Sequence, residues 1–153
     1  MALNGCSKKM CPMQVKKFLY YFLSFTWGLP LTLAGCIVAL VLTIAGKKSK
    51  KFGPVRYFTI GKSWGGLELG VFFLTDQHEN YKIKCHEFGH SLQNCIWGPL
   101  MIPVICLPST IRYWYRELKY SRKGKNPPTK YDDIWFEGQA TEWGTKVYEN
   151  HII

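Results

Sequence analysis

The stretch Cys85-His86-Glu87-Phe88-Gly89-His90-Ser91-Leu92-Gln93-Asn94 sets two histidines four residues apart around a glutamate. On a helix, residues i and i+4 share a face, with Cβ atoms about 6 Å apart. Two imidazoles so placed can close on one Zn²⁺ at about 2.0–2.1 Å each. Glu87 sits beside the metal without being forced to bind it, so it can take a proton from a water activated there. Gly89 between the ligands permits close approach of another backbone. The bare HExxH pattern arises by chance in roughly one chain in a few hundred of this length, so it needs support from the rest of the sequence. Cys85 abuts His86, but neighbours on a helix point about 100° apart and do not share one small site.

A catalytic zinc site takes a third protein ligand and leaves its fourth position open. The best candidate for the third ligand lies in the segment "YDDIWFEGQATEWG" (131–144), whose alternative reading is an amphipathic helix with Glu137 and Glu142 in solvent. Asp132 or Asp133, after the Pro127-Pro128 loop, can cap a helix there. On it Glu137, Ala140, Thr141 and Gly144 fall at i, i+3, i+4 and i+7, a stripe of small residues beside one carboxylate. Such a stripe lets the helix pack close to the histidine helix and brings Glu137 to the metal. Phe136, Trp143 and Val147 lie on a neighbouring face suited to burial.

Upstream, the polar residues 75–80 hold the turn formers that start the histidine helix near Asn80. Before them lie "VRYFTI" (55–60) and "LELGVFFL" (67–74), separated by "GKSWGG". Aromatic and β-branched content broken by glycines predicts a hairpin of these two strands. The second strand is expected to present Leu69, Gly70, Val71 and Phe72 as an edge to an extended peptide substrate. The fold class is therefore α+β, mainly helical, with a short β-hairpin preceding the HExxH helix.

The chain has 153 residues, 47% of them apolar and 16% aromatic, and twenty Lys+Arg stand against ten Asp+Glu for a net charge of +10. That length accommodates one functional unit. Residues 18–46 run without a charged side chain, long enough to span a bilayer with tilt, and lysines flank the run at Lys16, Lys17, Lys47 and Lys48. Gly28-Leu29-Pro30 allows a kink or a helical hairpin within it. A second uncharged run, 91–111, carries Gln93, Asn94, Pro99, Pro103 and Pro108, so its helix is expected to break. Basic residues on both sides of that run favour the cytoplasm for both flanks, with the run re-entering rather than crossing. Most of the basic residues adjoin the apolar segments and no nucleic-acid-binding motif interleaves them, so the partner they imply is the lipid bilayer, not nucleic acid. The organisation expected is a tail and hydrophobic membrane segment over 1–46 and a metallopeptidase-like domain over 47–153. The six cysteines form no C-x-x-C pair and read as free thiols, which suits a reducing compartment.

His86-Glu87-Phe88-Gly89-His90 followed by Glu137-Gly138-Gln139-Ala140-Thr141 resembles the gluzincin arrangement of HExxH and a downstream ExxA helix. It is most similar to small membrane-embedded peptidases of the Ste24/HtpX-like kind, and the resemblance covers chiefly residues 67–144. It implies a membrane-embedded minimal zincin fold with Zn²⁺ held by His86, His90 and Glu137, and Glu87 as general base. Where that family has an Asp after ExxA this chain has Thr141, and so lacks the carboxylate that orients a ligand histidine. Site-two proteases share the HExxH and the membrane, but they take an Asp ligand from a later apolar segment, and no such Asp exists here.

Two functions are compatible with these residues. One is an integral-membrane zinc endopeptidase acting on peptide or protein substrates, its site facing the cytoplasm. The other is a noncatalytic membrane protein whose zinc staples two helices. A base retained between the histidines favours the first, since a structural site has no use for it. Tyr113, Tyr120, Tyr131, Tyr148 and His151 are of a type to stabilise an oxyanion but none is singled out by spacing, and His78 and His151 read as ordinary polar residues.

Overall fold

A computed structural model of the chain describes residues 17–150. The tail lysines Lys8, Lys9 and Lys16, the cysteines Cys6 and Cys11, and His151 lie outside the described residues. The architecture of the described residues is α+β: five α-helices and one four-stranded mixed sheet.

The charge-free run 18–46 is not one helix. It forms α1 (Lys17–Phe25) and α2 (Leu29–Ile44), bent by 91° at the break between them. Pro30 sits in the first turn of α2, where a missing N–H costs nothing. The break is held from outside: Asn94 Nδ2 donates to the Gly28 carbonyl at 3.2 Å and Trp27 Nε1 to that of Ile96 at 3.0 Å. A side chain at Gly28 would collide with Asn94. Among the described residues, no single helix is long and apolar enough to cross a membrane. The bent pair α1/α2 passes that test together, as does the pair spanning 81–123.

Strands β1 (Lys50–Phe52) and β2 (Val55–Thr59) form an antiparallel hairpin around Gly53-Pro54, with Phe52 paired to Val55. Strands β3 (Gly66–Leu69) and β4 (Phe72–Thr75) form a second, and the sheet order is β1-β2-β4-β3. This corrects the expected hairpin of 55–60 with 67–74: β2 pairs with β4 in parallel, and "LELGVFFL" is itself folded back at Gly70-Val71. The physical reason is Gly70, whose φ of +72° suits a tight reversal and whose missing Cβ admits the backbone of Thr32 from α2. Residues 60–65 then serve as a crossover rather than a turn.

Helix α3 (Tyr81–Trp97) starts as the sequence predicts, with the Asn80 side chain accepting from the Lys82 N–H at 2.9 Å. Beyond it the prolines break the helix. Gly98–Leu100 is a 3₁₀ turn, Ile102–Cys106 is π-helical, and α4 (Leu107–Lys119) leaves after a bend of 115°. Helix α5 (Trp135–Glu149) returns against α3. Asp132 and Asp133 do not cap it: they form a 3₁₀ turn at 131–133 in which Asp133 accepts from the Lys130 N–H, and Ile134 precedes the helix.

Tyr20, Phe52, Phe73, Phe88, Leu92 and Val147 make the main core between α1, the sheet, α3 and α5. A second cluster joins Leu31 of α2 to Met101, Ile105 and Phe136. The four described cysteines, Cys36, Cys85, Cys95 and Cys106, are free thiols.

Candidate metal centre

The α3/α5 contact positions the site, and it depends on missing side chains. A Cβ on Gly89 would fall inside the radius of the Ala140 carbonyl oxygen, and one on Gly144 inside that of Cys85. With both absent, the helices touch backbone to backbone, as the small stripe predicts. Glu137, one turn before Ala140, is thereby carried over the histidine face of α3 and is fully buried.

His86 and His90 meet ring to ring, with centroids 4.6 Å apart and planes at 89°. Their Nε2 atoms are 3.1 Å apart, and Glu137 Oε2 lies 3.0 Å from that of His86 and 3.2 Å from that of His90. A tetrahedral ion with bonds of about 2.0–2.1 Å separates its ligand atoms by about 3.3 Å, so this triangle has the size such an ion requires. These are the described residues whose ligand atoms cluster in this way.

The outer nitrogens of both rings are occupied. Gln93 donates through Nε2 to the Phe136 carbonyl (2.8 Å) and to Gln139 (3.0 Å), so its Oε1 is the acceptor for His90 Nδ1 at 2.7 Å. That fixes the tautomer with the proton on Nδ1 and leaves the Nε2 lone pair pointing inward. Thr141 Oγ1 lies 2.8 Å from His86 Nδ1. The position after ExxA, which lacks the carboxylate of the resembling family, therefore still supplies a polar partner to a ligand histidine. The inward lone pair of His90, the facing Nε2 of His86 and Glu137 Oε2 converge on one point, and Glu137 Oε1 is buried without a hydrogen-bond partner. This donor set fits a divalent, borderline-soft ion such as zinc. Burial alone opposes ionisation of Glu137, but the neighbouring His86 and His90 outweigh it and hold the carboxyl well below the usual range.

Glu87 is rotated away from the triangle into a cleft of about 390 Å³ lined by His86, Glu87 and His90, by β3, and by Met101, Ile105, Tyr113 and Tyr131. Its carboxyl occupies the space where a Gly66 side chain would stand. Burial pushes that carboxyl up to about 7, the attraction of His90 working against this and the charge of Glu137 adding to it.

β3 is the outer strand of the sheet and borders the cleft. Of the four residues expected to form an edge, only Leu69 belongs to it. Gly70 and Val71 make the turn, and Phe72 lies in β4, paired on both sides. The outer strand bordering the cleft is instead Gly66-Leu67-Glu68-Leu69, and the shift follows from the reversal at Gly70.

Sequence reasoning missed Gln93, Gly66 and Glu68. Gln93 carried a signal, a buried-type polar residue three positions after His90 and so on the same face. Gly66 and Glu68 carried none, because their approach to Glu87 is made by the sheet. Glu68 is 5% exposed, its one oxygen accepting from the Gly70 N–H and the other without a partner, and burial raises its carboxyl well above the ordinary value. Of the tyrosines suited to an oxyanion, Tyr113 and Tyr131 line the cleft, and the Tyr131 ring lies 6.3 Å from that of His86. Tyr148 instead stacks on Phe52. His78 is bonded to Ser63 Oγ at 2.9 Å, away from the triangle. Cys85 is buried against α5.

No protein family, curated protein or solved structure matches the chain in comparison.

Proposed function

We propose that this chain is a membrane-bound zinc endopeptidase of the gluzincin type, with His86, His90 and Glu137 holding the ion and Glu87 acting as general base. The observation that carries the reading is the pairing of a zinc-sized triangle with a second carboxylate, Glu87, that faces the adjoining cleft rather than the triangle. A zinc ion held there would supply Lewis acidity to an attacking water and a peptide carbonyl. Glu87 would take the proton of that water and deliver it to the leaving amide nitrogen. The outer strand β3 would hold the substrate extended by adding a strand along the cleft. Gln93 and Thr141 would keep the two imidazoles aimed at the ion.

A zinc staple between α3 and α5 accounts for less. The two helices are already in backbone contact through Gly89, Ala140 and Gly144, and a staple leaves Glu87 in the cleft without a task.

Membrane attachment rests on the surfaces of α1 and α2. Phe18, Phe22 and Phe25 on one, and Leu33, Ile37, Leu40 and Ile44 on the other, recur at helical spacing and are exposed. Water does not favour so large an apolar face. The bent pair would enter the bilayer as a re-entrant hairpin, with the basic segments and the site on the cytoplasmic side.

The test is hydrolysis of an unfolded protein substrate by detergent-purified chain. Glu87→Gln should lower the rate by about 10²–10⁴-fold, the usual worth of a positioned base, while zinc content is retained. Cleavage by that variant at the parent's rate would end the general-base assignment.

A further inference from the structure

Helix α4 buries none of its residues, although it is 13 residues long and strongly two-sided. Leu107, Ile111, Trp114 and Leu118 are 54, 68, 50 and 52% exposed. At 100° per residue they fall within about 60° of one another, a straight apolar ridge along the helix. Helices of this length are marginal in water without a surface to pack on, and nothing within the described fold covers the ridge. Ser109, Thr110 and Tyr113 of the same helix face the cleft.

The charge around the ridge says what covers it. Between 107 and 130 there are seven basic residues and one acidic one. Arg112 and Arg116 lie off the ridge, about 130° and 170° round the helix from its middle, where they donate to the backbone carbonyls of Lys130 and Thr129 and lie over the Tyr131 ring at 5.8 and 5.7 Å. Among the described residues neither forms an ion pair with a carboxylate. Lys119 is held against Tyr115 and Tyr120, an aromatic and cationic end of the kind that sits at headgroup level. An apolar ridge on a helix whose C-terminal end is cationic and aromatic, in a segment with seven basic residues to one acidic, is complementary to an anionic lipid surface, and not to a neutral protein groove.

We propose that α4 is an interfacial helix seated in an anionic lipid leaflet, with Leu107, Ile111, Trp114 and Leu118 among the acyl chains. The seat is separate from the α1/α2 hairpin, and it sets the cleft mouth, which shares α4 through Ser109, Thr110 and Tyr113, at the lipid boundary. The inference goes beyond the peptidase reading and needs neither zinc nor turnover, so the two can fail independently.

The experiment uses the full chain in nanodiscs of phosphatidylcholine, with and without phosphatidylglycerol. A photo-crosslinking benzoylphenylalanine in place of Trp114 or Leu118 should capture phospholipid several-fold more than the same probe in place of Glu117, which lies off the ridge. Omission of phosphatidylglycerol should lower that capture. In the unmodified chain, which removes any doubt about folding of the probe variants, amides 107–119 should exchange more slowly in the discs containing phosphatidylglycerol. Equal lipid capture at Trp114 and Glu117, capture of a second copy of the chain instead of lipid, or exchange of 107–119 indifferent to lipid charge would each overturn the proposal.

Discussion

Thr141 and Gln93 hold the imidazoles from outside, and Glu137 closes the triangle from within. Glu137→Ala should therefore lose most of the zinc along with hydrolysis, since two imidazoles alone bind it weakly. Gln93→Leu, which leaves His90 Nδ1 without its acceptor, should weaken zinc binding by about 10–100-fold at nearly unchanged volume. Metal titration against a competing chelator measures both. Glu68 is a different case, because it is buried beside the cleft with no cation opposite it. A carboxyl raised in the fold contributes stability that is fully present below its unfolded value of 4.5 and is lost as pH rises towards its folded value. Glu68→Gln keeps an acceptor for the Gly70 N–H and removes the titration. Its melting temperature should exceed the parent's by several degrees at pH 7 and match it near pH 4; a gain independent of pH would show that ionisation of Glu68 is not the cause.

At the scale of elements, the α3/α5 contact is the one on which the site depends. Gly144→Ala places a methyl group against the Cys85 carbonyl, and neither backbone can yield without parting the helices. We expect a stability loss of about 3 kcal/mol, together with weakened zinc binding, by thermal unfolding and metal titration. Glu142→Ala, on the exposed side of α5 where it meets Lys146, should cost no more than about 0.5 kcal/mol and leave the metal in place. The contact was legible in the sequence because the spacing of His86, Gly89, His90 and of Glu137, Ala140, Gly144 is local and helical. Strand pairing was not. The segments "VRYFTI" and "LELGVFFL" advertise strands, but whether Gly70 continues one or reverses it is decided by Thr32, thirty-eight positions upstream. The Gly53-Pro54 turn carried its own signal, whereas the parallel pairing of β2 with β4 had none, since it is made across the crossover at 60–65.

For the molecule as a whole, composition foretold an apolar, cationic protein, and the breaks at Gly28 and at the three prolines were readable from the residues that force them. The angles of 91° and 115° were not, because Asn94 and the packing of Met101 and Ile105 on Leu31 set them. If α1/α2 enters a bilayer, the protein should stay with membranes through high-salt and carbonate washing, because apolar insertion is not screened as surface charge is. Labels at Ser63 and Lys125, on either side of the 81–123 pair, should report one compartment; opposite accessibility would mean that this pair crosses. The α3/α5 site is independent of that outcome, since His90 and Glu137 meet in either case. Its central claim is tested most directly by metal analysis of the detergent-purified chain, beside His86→Ala and Glu137→Ala. The account predicts close to one zinc per parent chain and little in either variant, and a parent without zinc, or variants that retain it in full, would contradict it.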